Sequence, residues 1–235
     1  MTWPFENDTN GIVKRISNRS ISANRKRNIF IILTIALASA LLSAIVLYGF
    51  GVMQETQNRN QKTAQIMYHA ISEQQGQELY KQEEIAWVGE FFNAFSEQVN
   101  HSTVNFTYAN ADMLKSQSMP YSGDLPASEN EIVVQESFLD SLGYSNELGQ
   151  TIQIPFSDGT THDFKLTGIL DVKTGDIGRY TAIISKELVR QQYGDEGMID
   201  YYIGLKGAQN MSEEEATNYA NTLAQQLKIS DDNVI

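Results

Sequence analysis

From Ile29 to Met53 the chain reads IFIILTIALASALLSAIVLYGFGVM, without one charged residue. As a helix rising 1.5 Å per residue, a run of this length spans roughly 37 Å, enough to cross a hydrocarbon core of about 30 Å with some tilt. A buried helix of a soluble domain needs only about 10–14 apolar residues and keeps a polar face. This run has no such face, so it is read as a transmembrane helix. A cleaved signal sequence, suggested by Ala36, Ala38 and Ala40, fails on position: these alanines lie mid-run, behind an unusually long n-region.

Lysine and arginine next to a membrane segment stay on the cytoplasmic side. Lys14, Arg15, Arg19, Arg25, Lys26 and Arg27 precede the run, against only Glu6 and Asp8. The N-terminus is therefore expected in the cytoplasm and residues 54–235 outside. Residues 1–28 carry net +4, and because the chain has 17 basic and 29 acidic residues in all, the remainder carries 11 and 27, net −16. The basic end suits anionic lipid headgroups, whereas the acidic remainder argues against nucleic acid. With no cysteine, disulfides and thiolate metal sites drop out.

Ile12, Val13, Ile16 and Ile21 interleave with the basic residues, which suits either an amphipathic helix in the inner interface or a disordered basic tail. Within the apolar run, Ala36, Ala40 and Ala44 recur at every fourth position, with Ser39 and Ser43 on a neighbouring face. Small residues so spaced let membrane helices approach closely, which leans towards a multi-helix bundle. A polar Gln/Asn-rich exit, Gln54 to Lys62, follows. Strands are predicted at about 63–70, 85–95, 103–110, 132–135, 151–156, 161–171, 180–185 and 198–207. Helices are predicted after Ser72, over 137–143, in SKELVRQQYG and in MSEEEATNYANTLAQQLK, while 111–131 reads as a Pro/Gly-marked loop. Strands alternating with short helices, without a strict βαβ repeat, give an α+β class.

No catalytic, cofactor-binding or metal-binding residue set emerges. His69, His101 and His162 lie in separate segments without HxxxH or HExxH spacing. No phosphate-cradling GxxxxGK[ST] loop and no GxGxxG is present, so the chain is expected to be no enzyme and to bind no cofactor. Glu213, Glu214 and Glu215 read as a helix N-terminus rather than a calcium loop. The sequons at Asn18, Asn100, Asn105 and Asn210 are what an Asn- and Ser-rich chain yields by chance.

NRSISANRKRNIFIILTIALASALL resembles the start of FtsX-like permeases of ABC transporters, where a basic segment runs into the first membrane helix. Gly123, Leu125, Pro126, Ser128, Asn130, Glu131 and Ile132, followed by LDSLGYSNELGQTIQI and DFKLTGILD, are similar to the extracytoplasmic core domain of MacB-like permeases. The likeness covers about residues 12–185, with 54–110 matching only in rhythm. It implies residues 1–28 as a cytoplasmic basic segment, 29–53 as a transmembrane helix and 54–235 as a MacB-like core domain outside the cell membrane. It further implies a permease subunit of an ATP-driven transporter or mechanotransmission complex. The implied partners are a cytoplasmic ABC ATPase, membrane lipid, and itself or a second permease as a dimer. With one apolar run and an ending, ISDDNVI, that reads as a last strand of the outside domain, the chain is expected to be the N-terminal part of such a permease. The alternative is a single-pass anchor for an extracellular ligand-binding or scaffold domain.

Overall fold

A computed structural model describes residues 9–172, 179–194 and 199–235. Contacts divide the chain into two compact units, one up to Thr56 and one from Gln57.

Helix α1 (Thr9–Ala23) is followed by α2 (Arg25–Lys62), whose last residues, from Gln57, belong to the second unit. They part at Asn24, whose side-chain amide donates to the Ser20 carbonyl at 3.1 Å. On α1, Ile12, Val13 and Ile16 are exposed, while Lys14, Arg15, Asn18 and Ser22 gather on another stripe. The segment is thus an amphipathic helix rather than an irregular tail. The polar exit after Met53 is also helical, to Lys62, because glutamine, glutamate, arginine and lysine favour helix as strongly as most apolar residues do. Phe30 and Leu47 are each 71% exposed, so the apolar run is not a core helix. Its hydroxyls are satisfied internally: Thr34, Ser39 and Ser43 donate to carbonyls four residues back, at 2.8–2.9 Å, which suits a lipid surrounding.

In the second unit the strands are β1 (Ile66–Tyr68), β2 (Ile85–Val99), β3 (Ser102–Ala109), β4 (Tyr121–Gly123), β5 (Glu131–Gln135), β6 (Thr151–Pro155), β7 (Thr161–Leu170), β8 (Arg179–Ile184) and β9 (Asp200–Leu205). The helices are α3 (Glu73–Leu79), α4 (Ala111–Ser116), α5 (Glu136–Leu142), α6 (Lys186–Tyr193) and α7 (Glu213–Leu227). The described strands form one sheet in the order β1-β9-β2-β3-β8-β5-β7-β4, with β6 beside β7. β3 and β8 run parallel, as do β5 and β7, and the other pairs are antiparallel. This mixed sheet with short helices is the α+β class expected.

Two apolar cores share one face of that sheet. Strand alternation puts Tyr201, Ile203 and Leu205 of β9 on it, with Ile66 and Tyr68 of β1, under α3 and α7. Further along the same face Phe106, Ala182, Ile184, Ile132, Val134 and Leu166 pack under α5 and α6. On the opposite face Met113 and Leu114 of α4 cover Ala109, Val133, Ile183 and Leu170, with Phe91 and Tyr202 at the margin. β2 serves both halves, pairing with β9 up to Phe91 and with β3 from Phe91 onward.

Several predicted ends moved. β2 continues to Val99, and a two-residue turn at Asn100 and His101, both at positive φ, returns it as β3; asparagine and histidine tolerate that conformation. The segment predicted as a loop holds α4, capped by the Asn110 side chain on the Met113 amide at 2.9 Å, and the short β4. Ser72 and Gln75 form the capping box their spacing suggests, and Ser212, the expected N-cap of α7, forms a second one with Glu215.

Candidate functional site

The histidines singled out in the sequence stand on three separate elements. His69, at the end of β1, pairs with Asp200 at 2.6 Å; His101 is in the hairpin turn; His162 on β7 stacks on Phe156 with centroids 4.3 Å apart. Glu213, Glu214 and Glu215 form the first turn of α7. Asn18 lies on α1, Asn100 in the hairpin turn, Asn105 on β3 and Asn210 in a short 3-10 turn.

The residues that suggested the family serve the sheet. Glu131 accepts hydrogen bonds from the amides of Ala127 and Ser128 at 3.0 and 3.2 Å and from Lys165 at 3.2 Å. It therefore staples the Leu125–Asn130 loop onto its own strand. Gly123, at φ +83°, lies so close to β7 that a Cβ would stand 2.3 Å from the Thr167 carbonyl, which excludes any side chain.

Two arrangements go beyond scaffolding. One is the place where the unit begins and where residues 233–235 return. Met67 donates to the Ile235 carbonyl at 3.1 Å, Ile235 to Met67 at 2.9 Å and His69 to Asn233 at 2.8 Å. These residues cover the open edge of β1 and run antiparallel to it, leading back towards Thr63. A cleft of about 340 Å³ lies there, lined by Thr63–Met67, Ser116, Gln117, Tyr202 and Ile235.

The other is a charged seam between the two cores. Glu90 on β2 is opposite Tyr201 in register and two residues before Phe92, so its side chain is on the face that carries both cores, where they meet. It is only 5% exposed. It accepts from Tyr80 at 2.9 Å, Tyr108 at 2.6 Å and Lys186 at 3.0 Å. Lys186, at the start of α6, also pairs with Glu73 of α3 at 3.2 Å, and Arg190 of α6 hydrogen-bonds to Glu73. Burial, and then the Glu90 carboxylate, push the Tyr80, Tyr108 and Tyr201 phenols well above their usual range. The Arg190 guanidinium, with Lys186, holds the Glu73 carboxyl below its usual range. A depressed carboxyl contributes stability above its unfolded value, so Glu73's share is present at neutral pH and is lost as pH falls through the lowered value. Sequence reasoning missed this seam. Its one trace was a lone glutamate inside the aromatic strand WVGEFF.

The Tyr201 hydroxyl is buried beside the seam without a hydrogen-bond partner among the described residues. A buried hydroxyl left unpaired costs about 1–3 kcal/mol. Tyr201→Phe is therefore expected to raise stability by about 1 kcal/mol, read as a higher urea midpoint at unchanged slope; a lower midpoint would contradict the assignment.

A model of the MacB-like periplasmic core domain matches residues 29–221. Among solved structures, the periplasmic region of MacB from Actinobacillus actinomycetemcomitans is 12% identical with a TM-score of 0.50, covering 72% of this chain and 86% of that one. A domain of a putative permease from Porphyromonas gingivalis is 8% identical with a TM-score of 0.51, covering 75% and 88%. The extracellular domain of the noncanonic ABC-type transporter YknZ from Gram-positive bacteria is 11% identical with a TM-score of 0.50, covering 72% and 98%. No curated protein sequence matches. At such identities the structural likeness speaks for the fold alone.

Proposed function

Because this chain belongs to the family of MacB-like periplasmic core domains, we propose that it works as the N-terminal portion of a permease subunit in an ATP-driven ABC transporter or mechanotransmission complex of the bacterial cell membrane. At the coarser level it carries the periplasmic-type core domain of an ABC-type transporter permease, behind a helix long and apolar enough to cross a membrane. One observation supports the finer reading most. The strand-like residues 233–235 lie on β1 and run back along it towards Thr63. The segment that enters the sheet at Thr63 and the pairing on β1 thus share one edge, where movement of α2 would be passed to the sheet.

The ATP is turned over elsewhere, by a cytoplasmic ABC ATPase, since the chain holds no phosphate-cradling loop. α1, with its basic stripe and exposed Ile12, Val13 and Ile16, holds anionic headgroups of the inner leaflet or touches that ATPase. The same reading includes dimerisation with itself or with a second permease, since the one apolar helix among the described residues does not alone enclose a polar path.

Two measurements test this. Alkaline phosphatase fused after Ile235 should be active outside the membrane, following the six basic residues before Ile29; activity only in the cytoplasm would overturn the orientation. The tagged chain, solubilised from its own membrane, should bring down an ABC ATPase identified by mass spectrometry, while the purified chain alone turns over no ATP. Turnover by the chain alone, or capture of no such ATPase, would refute the reading.

A further inference from the structure

The two faces of the sheet are joined in opposite ways. On the α4 face one apolar cluster joins the two halves, from Tyr202 and Phe91 through Ala109 and Met113 to Ile183 and Val133, beside a cleft that Asn93, Thr107 and Thr181 also line. On the other face the apolar cores under α3/α7 and under α5/α6 form separate clusters. What lies between them is Glu73, Glu90, Lys186 and Arg190, with the phenols of Tyr80, Tyr108 and Tyr201.

We propose that this seam is a latch: the α3/α7 half and the α5/α6 half of the domain swing apart about the apolar α4 face, and the ion pairs from Glu73 and Glu90 to Lys186 and Arg190 hold them shut. The chemistry fits a joint that opens. An apolar seam prised apart exposes hydrocarbon to water in proportion to its area. A charged seam exposes groups that water solvates at once, so the open state regains hydration that the closed state gave up. The pairs also demand geometry, which makes the closed arrangement specific. Within the seam two carboxylates, Glu73 and Glu90, meet two cations, Lys186 and Arg190, and the exposed Glu187 lies 3.9 Å from Arg190 at its rim. β2 is the flexing member, since its partner changes at Phe91 and its register slips between Asn93 and Phe95, where a bulge loosens the ladder. The latch rests on the domain's own geometry, whichever assembly the domain serves.

The chain has no cysteine, so two nitroxide labels can be placed without background. Asp140→Cys on α5 and Gln226→Cys on α7 are exposed positions, one on each half. Distances between them are measured by electron double resonance on the full chain in lipid nanodiscs. Closed molecules should give one narrow distance, with an open minority of about 0.1–10% at longer distance. Glu73→Gln with Arg190→Gln is expected to raise that minority about tenfold or more. Glu73→Leu with Arg190→Leu, which replaces the outer pair by an apolar contact and leaves Glu90 on Lys186, should reduce it. Should the glutamine pair fail to fold, the unaltered seam carries the test: raising NaCl to 1 M, where screening reaches about 3 Å, should enlarge its open fraction more than that of the leucine pair. An unchanged distance in the folded glutamine pair, a salt-insensitive unaltered seam, or equal opening in the leucine and glutamine pairs would each overturn the latch.

Discussion

Lys186→Ala should destabilise the outside domain by about 3–5 kcal/mol, the cost of stripping one partner from a buried ion pair. By position Lys186 is an ordinary first residue of a helix, behind the Ser185 cap, where a surface lysine is worth little. Its Nζ, however, sits 3.0 Å from Glu90 and 3.2 Å from Glu73, and the Glu90 side chain is almost wholly buried. Tyr80 and Tyr108 still donate to Glu90 when the lysine is gone, but hydrogen bonds from neutral phenols do not cancel a charge. Lys165→Ala is the contrast. Lys165 pairs with Glu131 at 3.2 Å in an exposed setting, and such pairs contribute about 0–1 kcal/mol. If the loss at Lys186 comes from the uncompensated carboxylate, Glu90→Gln added to Lys186→Ala should restore most of it. Urea unfolding of the full chain, followed by near-UV circular dichroism, reads all three variants. A loss below about 1 kcal/mol at Lys186 would show that the Glu90 carboxylate reaches water once the lysine is gone.

Elements with a local code were legible in the sequence. The capping box at Ser72, the N-cap at Ser212, the αL glycine at Gly143 and the Asp-Gly hairpin turn before Thr161 each declare themselves within four residues. The membrane run needed only length and charge. What escaped notice depends on partners distant in the chain. Glu90 meets Lys186 across 96 positions and Arg190 meets Glu73 across 117; no window of sequence contains either pair. α4 escaped for another reason: Pro120, Gly123 and Pro126 dominate the composition around it, while its own signal is the single cap Asn110. That asparagine also donates to the Val88 carbonyl at 2.9 Å and accepts from the Glu90 amide at 3.0 Å. One side chain therefore starts α4 and ties it to the strand that carries the buried glutamate.

Gly76→Ala is expected to cost about 2 kcal/mol, opposite in sign to what helix propensity alone gives. Gly76 lies in the middle of α3, and in an exposed helix interior alanine would be better by roughly 1 kcal/mol. Here a Cβ would stand 2.1 Å from Cζ and 2.2 Å from the hydroxyl of Tyr201. That ring is fully buried and packs among Ile203, Leu223 and their neighbours, so it cannot swing aside. Either α3 lifts or the ring leaves its rotamer, and overpacking of this kind costs about 1–3 kcal/mol, occasionally more. The upper end applies because α3 carries Glu73, and lifting it stretches the pairs to Lys186 and Arg190. Gly11 in α1 has nothing within 4 Å of its Cβ position, so Gly11→Ala should show only the propensity gain, as increased helix content of α1. A double-mutant cycle isolates the cause. In a Tyr201→Leu background the side chain that meets the new methyl is gone, and Gly76→Ala should become neutral or stabilising. A penalty of the same size there would place the strain in α3's backbone rather than at the tyrosine.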